Sequence, residues 1–206
     1  MPPLAVDQIV ARMEAADGVR AKELAGYQGT RHYELVNLRF NKRAKVTARV
    51  TYTYPGSKSF EVLAEEGSHM LCERVLKRLI RTEQEGSEKA GRPQSRIDFV
   101  NYRLRVTGTE SIDGRNCYVL ELVPLSKSPF LVKGRAWIDA SEYAVVRLEG
   151  VLAKKPSIWV GSPHITQRYA KHGAFWLPAS SVSTTEAPIF GRTDLTIEYA
   201  GYEIKK

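Results

Sequence analysis

Four histidines, His32, His69, His164 and His172, are the first side chains in this 206-residue sequence that could hold a metal. The last two stand eight apart, and on a strand an even spacing points both to one face. A metal site needs a third ligand, and no carboxylate is obviously placed to supply it, so the histidines read as surface or structural residues. Asp113 and Asp139 are the candidate acid–base pair. Asp113 falls in a turn and Asp139 ends a strand, positions where aspartate commonly hydrogen-bonds its own backbone. Two cysteines, Cys72 and Cys117, leave two readings open: one disulfide in an exported protein, or two buried thiols packing as small hydrophobes. No CxxC pair, GxSxG elbow, Gly-rich phosphate loop or HExxH motif occurs. The chemistry expected is therefore binding rather than catalysis, with no metal and no cofactor.

The elements that position these residues follow from hydrophobic spacing. Pro2 and Pro3 suit a helix entry, and Leu4, Ile9, Val10, Met13 and Ala16 recur at helical intervals. From Tyr27 the period changes to two. Val46, Ala48, Val50, Tyr52 and Tyr54 alternate with polar residues until Pro55-Gly56 breaks the run. A strand on either side, about 28–40 and 59–65, completes an antiparallel meander. An amphipathic helix over about 69–85 interrupts it, with Leu71, Val75 and Leu79 in one row and Cys72, Leu76 and Ile80 in the next. Beyond a polar loop ending near Pro93 the strands resume and run to the carboxy terminus, with Asp113-Gly114 as a hairpin turn.

The expectation is a mainly β (α+β) single domain over residues 1–206. A strongly curved antiparallel sheet or unclosed β-barrel of about 10–11 strands would carry two helices on its concave side. Large inward candidates are Tyr52, Tyr54, Tyr102, Leu104, Trp137, Ile138, Trp159 and Trp176. With 31 basic and 23 acidic residues the net charge is +8, which favours anionic partners. Arg39, Lys42, Arg43, Lys45 and Arg49 surround a hairpin turn on the solvated side of the strand. They read as a solvated face or as an anionic-lipid or lipoprotein docking surface, and nucleic acid is not the expected partner. The amino-terminal stretch lacks the unbroken apolar core of a signal peptide, so the sequence reads as cytoplasmic or as a mature form with its export signal removed.

Several segments in order carry a resemblance: a helix followed by Tyr27 and Gly29, then Asn101-Tyr102, then IDGRNCYVLELVP (112–124) and GRAWID (134–139). VVRLEG (145–150), PSIWV (156–160) and FWLP (175–178) follow. Together they resemble the outer-membrane lipoprotein-sorting proteins, the LolA/LolB-like superfamily. The resemblance implies an unclosed barrel lidded by helices, holding acyl chains of lipids or lipoproteins in an apolar periplasmic cavity. A related branch uses the fold as an envelope sensor that binds a protein partner. On this reading Tyr52, Tyr54, Leu71, Val75, Leu79, Tyr102 and Leu104 line a cavity between the sheet and the 69–85 helix. Leu71, Val75 and Leu79 form either its lid or an ordinary core stripe.

Overall fold

The computed structural model describes residues 4–89, 95–154, 163–189 and 191–206. Pro2, Pro3, the end of the polar loop near Pro93, the PSIWV segment and Trp159 lie outside the described residues. Helix α1 (Val6–Glu23) precedes strands β1 (Gly26–Asn37), β2 (Lys42–Thr53) and β3 (Ser57–Gly67). The second helical stretch is α2 (His69–Leu71), a π-turn (Cys72–Leu76) and α3 (Lys77–Lys89). Then come β4 (Tyr102–Ile112), β5 (Arg115–Pro124), β6 (Val132–Asp139), β7 (Val145–Leu152), β8 (His164–His172), β9 (Phe175–Ala187) and β10 (Gly191–Lys205). All pair antiparallel in one ten-stranded sheet of order β3-β2-β1-β10-β9-β8-β7-β6-β5-β4, whose edge strands β3 and β4 do not pair with each other. This is the expected mainly β, unclosed curved sheet with helices.

One cross-strand row shows how the concave face is divided. It runs Val46–Tyr33–Ile197–Ser181–Gln167–Leu148–Ala136–Leu120 across eight strands. At one end Tyr33 and Val46 are buried with Ala44, Ala48, Leu71, Cys72, Leu76 and Ile80. At the other, Leu120 and Ala136 are buried with Tyr102, Leu104, Tyr118, Leu122 and Ile138 beneath Ile9, Val10 and Met13 of α1. The two helical segments therefore cap opposite halves of the sheet. Ile197, Ser181 and Gln167 lie between them, only half-buried.

Two local features curve and seal the sheet. Gly134 pairs with Gly150, and a Cβ on Gly134 would lie 1.9 Å from the Glu149 carbonyl oxygen, so β6 and β7 approach as only glycine permits. On the convex face Cys117, Val119, Trp137 and Val146 form a separate buried cluster. Trp137 points outward because its neighbours Ala136 and Ile138 point inward, contrary to the inward placement expected of it. Trp176 packs on the same convex cluster. Guanidinium groups lie over both indoles: those of Arg135 and Arg147 are 5.0 and 4.8 Å from the Trp137 ring centre, and that of Arg115 is 5.0 Å from Trp176. Cys72 and Cys117 are both buried free thiols, on opposite faces of the sheet, so the disulfide reading falls away.

Tyr118 is fully buried in the core beneath α1, and its hydroxyl has no hydrogen-bond partner among the described residues. A buried unpaired hydroxyl costs about 1–3 kcal/mol. Tyr118→Phe is thus expected to be neutral or to stabilise the fold by up to about 1 kcal/mol in urea denaturation. A loss beyond about 1 kcal/mol would reveal a partner for that oxygen.

Candidate functional site: the concave face

A cavity of about 280 Å³ opens between α1 and the sheet. Its apolar wall is Met13, Tyr102, Val132, Val145, Leu148 and Tyr169, with Phe130 at the β5–β6 loop. Glu14, Asp17 and Arg96 supply its polar margin. Small-molecule pockets span roughly 300–1,000 Å³, so this one holds part of a long ligand. Leu148 is the cross-strand neighbour of Gln167, which joins the cavity to the half-buried strip on β8–β10. That strip offers Ile165, Gln167, Ser181, Ser183, Leu195 and Ile197 in adjacent rows, with two serines small enough to keep its floor open.

The cavity wall is held by specific contacts. The Val132 backbone N–H donates to the Tyr102 hydroxyl at 3.0 Å, which locks the ring against β6. Burial pushes the Tyr102 phenol above its usual range and the Tyr169 phenol up to about 12. Both therefore remain neutral, and the wall stays uncharged at any physiological pH. Asp17 is raised by burial against the opposing pull of Arg20 and Arg96. Helix α1 is anchored at the far end, where Arg20 donates to the Glu142 carbonyl and Arg12 to the Tyr143 hydroxyl. Asp139 organises that turn, accepting from the Ser141 and Glu142 backbone N–H groups at 2.8 Å each and from Arg115 at 3.2 Å. Burial works to raise its carboxyl, and these hydrogen bonds with that of the Ser141 hydroxyl outweigh it and lower it.

The opposite half carries a buried charge cluster. Arg31, 4% exposed on the concave face of β1, donates to Glu83 of α3 through both terminal nitrogens, at 2.6 and 3.1 Å. Lys58 of β3 donates to the same carboxylate at 2.8 Å. The guanidinium lies between Phe60 and Tyr199, 5.1 and 4.8 Å from their ring centres. Burial acts to raise the Glu83 carboxyl, but Lys58 and Arg31 together hold it down at about 2. This cluster ties the second helical stretch to the sheet. Its signal in the sequence is Arg31 at an inward position of a strand, absent from the residues expected above.

The residues expected to line one cavity are distributed over several environments. Tyr102 stands in the wall of the α1 cavity, and Leu104 packs in the core beside it. Leu71 is buried in the other half. The π-turn sets that pattern, because an i,i+5 turn places Leu76 over Leu71. Leu71, Cys72, Leu76 and Ile80 consequently face the sheet, while Val75 and Leu79 remain about two-fifths exposed. Tyr52 stacks on Tyr27 at 5.0 Å in a small aromatic cluster with Tyr202. Tyr54 lies beyond the last paired residue of β2 and is 53% exposed in the turn, so it is not an inward residue.

The basic set is on the surface. Arg39 sits in the β1–β2 turn and donates to the Pro188 carbonyl at 3.0 Å; Lys42, Arg43, Lys45 and Arg49 are exposed along β2. Arg43 pairs with Glu34 at 3.1 Å and Arg49 with Glu61 at 2.6 Å. Lys45 lines a convex groove of about 310 Å³ beside Glu34, Glu66 and Glu198, where carboxylates outnumber it. His164 and His172 stand at opposite ends of β8, too far apart to share a ligand, and each has its own surroundings. His164 faces Glu149, and His172 packs 4.9 Å from the Tyr202 ring.

No family model matches the chain, and no curated protein does. Among solved structures it is similar to a domain named for outer-membrane lipoprotein sorting from Vibrio parahaemolyticus, at 11% identity over 98% of this chain and 94% of that one, TM-score 0.47. It is similar to a LolA superfamily protein from Nitrosomonas europaea, at 13% identity over 99% and 95%, TM-score 0.43. A DUF1329 family protein from Desulfovibrio piger is 11% identical over 97% and 93%, TM-score 0.44. Likenesses this distant leave function to be argued from the chain's own residues.

Removing the Glu83 charge would leave Arg31 buried with its nearest anion gone. Glu83→Gln is expected to cost about 3 kcal/mol in urea denaturation. Replacing Arg31 and Glu83 together with methionine should recover most of that loss. The folded-state carboxyl titrates below its unfolded value near 4.3, so its contribution is complete above that pH. It should disappear as pH falls from about 4.3 toward 2, a fading that Glu83→Gln lacks.

Proposed function

We propose that this chain binds an acyl chain of a lipid or lipoprotein along its concave face, without catalysing a reaction on it. The observation that carries the reading is the pairing of an apolar cavity under α1 with an uncovered strip on β8–β10 that continues it. Together they form a furrow suited to a long, narrow, uncharged ligand. Val75 and Leu79, the exposed apolar residues of the second helical stretch, are proposed as contacts at its margin. The compartment we take for this activity is the periplasm, which the sequence resemblance implies, and carriage in lipoprotein sorting is the corresponding role.

A second reading has its own observation. Residues 61–67 of the edge strand β3 are exposed, Val62 and Leu63 included, although α3 runs beside the strand through Lys77–Glu65 at 2.6 Å and the Lys58 backbone N–H on Ser87 at 3.0 Å. An edge of that kind accepts a strand from a protein partner, as a sensor or scaffold domain would use it.

Titration with a fluorescent fatty acid separates the two. The wild-type protein should bind the probe, with each buried methylene contributing about 0.8 kcal/mol. Leu148→Trp fills the junction of cavity and strip and should weaken binding about tenfold, the equivalent of two lost methylenes. Tyr54→Ser, at the far turn, should leave affinity unchanged. A wild type that takes up no acyl probe, or a Leu148→Trp variant that binds as tightly, contradicts the acyl reading and leaves the β3 edge as the functional surface.

A further inference from the structure

The strand registers place the β1–β2, β5–β6 and β9–β10 connections at one end of the sheet, together with the loop entering β4. Asn37 pairs with Lys42 and Thr193, His164 pairs with Thr184 and Val151, Val132 with Leu152, and Pro124 with Tyr102. The loops at this end present their apolar side chains to solvent. Phe40 and Ile189 project from two turns, Phe99 and Val100 from the loop before β4, and Leu125 and Phe130 from the β5–β6 loop, each between 46% and 81% exposed. Among the described residues of these loops stand Arg39, Arg96 and Lys127 against one acid, Asp98, and Lys154 follows β7 at the same end. Asp98 is buried and spends its carboxylate on the Val100 and Asn101 backbone N–H groups.

The other end differs chiefly in its apolar surface. Its turns, Tyr54–Gly56, Asp113–Gly114, Ala140–Ala144 and Gly173–Ala174, expose one large apolar side chain, Tyr54, and carry Asp113 and Glu142, with Lys205 and Lys206 beside them at the end of β10. Six apolar tips spread over four separate loops do not make the groove that a helix or strand would fill. They are convex points with basic residues between them, the pattern of a surface that dips into an interface and is attracted to negative headgroups.

We infer that this end of the barrel is a docking rim for an anionic lipid bilayer, with the tips entering the headgroup layer and Arg39, Lys127 and Lys154 contacting headgroups. Arg96 and Phe130 belong both to the rim and to the margin of the α1 cavity, so docking presents the cavity mouth to the membrane. The inference goes beyond acyl binding and does not depend on it, since a rim can dock whatever the interior holds.

Co-sedimentation with vesicles tests it, using phosphatidylcholine alone and phosphatidylcholine doped with phosphatidylglycerol. The wild type should pellet preferentially with the doped vesicles at low ionic strength, and added salt should weaken that preference. Phe40→Ser combined with Leu125→Ser should lower the partition coefficient about tenfold. Arg39→Ser combined with Lys127→Ser should lower it about thirtyfold at low salt, at about 1 kcal/mol per charge. Tyr54→Ser should change nothing. Far-UV circular dichroism and affinity for the fluorescent fatty acid should be unaltered in the tip variant, which separates loss of docking from loss of acyl binding. The inference is overturned if wild type stays in the supernatant with both vesicle types, or if the tip variant pellets as wild type does. It is also overturned if the tips instead drive a concentration-dependent dimer without vesicle binding.

Discussion

A ten-stranded sheet that curls without closing has a concave face wider than two helices can cover, and most of this structure follows from that mismatch. Helix α1 caps β4–β7, the second helical stretch caps β1–β3, and β8–β10 lie between with their inward residues half-buried. Covering those strands would bury Ile165, Leu195 and Ile197 at about 25 cal/mol per Å², yet the same rows hold Gln167, Ser181 and Ser183. A third helix over that floor would strand their polar atoms, and an unpaired buried hydroxyl or amide cancels much of the gain. The mixed composition suits a surface covered only part of the time.

The two caps are held by different physics. Helix α1 lies on a large apolar core and is pinned at the far turn by Arg12 and Arg20. The second stretch has its own apolar row and a buried ion cluster in which one carboxylate serves two cations. Such a cluster is weak evidence for stability, because desolvation offsets much of the attraction; its stronger effect is on register. Glu83 meets both Arg31 of β1 and Lys58 of β3 in one rotation of α3, which complements the alignment that the π-turn sets between Leu71 and Leu76. The convex face is sealed separately by the Trp137 and Trp176 cluster.

Much of the fold was legible because strands of period two leave little ambiguity. Val46, Ala48 and Val50 alternate as read, and they are buried as read. One departure comes from a local irregularity that inverts a pattern: the π-turn turns Leu76 rather than Val75 toward the sheet. It has no sequence signature as plain as Asp113-Gly114. Trp137 and Trp176 depart for another reason: size favours an inward place for large aromatic residues, but alternation with Ala136, Ile138 and Leu177 points these two outward. The cavity under α1 had no signal in the sequence, because its lining comes from five elements and two loops far apart in the chain.

Occupation of the furrow from the α1 cavity across β8–β10 by an acyl chain can be seen by methyl-resolved NMR of the protein titrated with palmitate. Shifts are expected to concentrate at Met13, Val145, Leu148, Ile165 and Ile197, with Val119 and Val146 on the convex face unmoved. Shifts confined to the convex face or to the β3 edge, or no shifts at saturating palmitate, would contradict it.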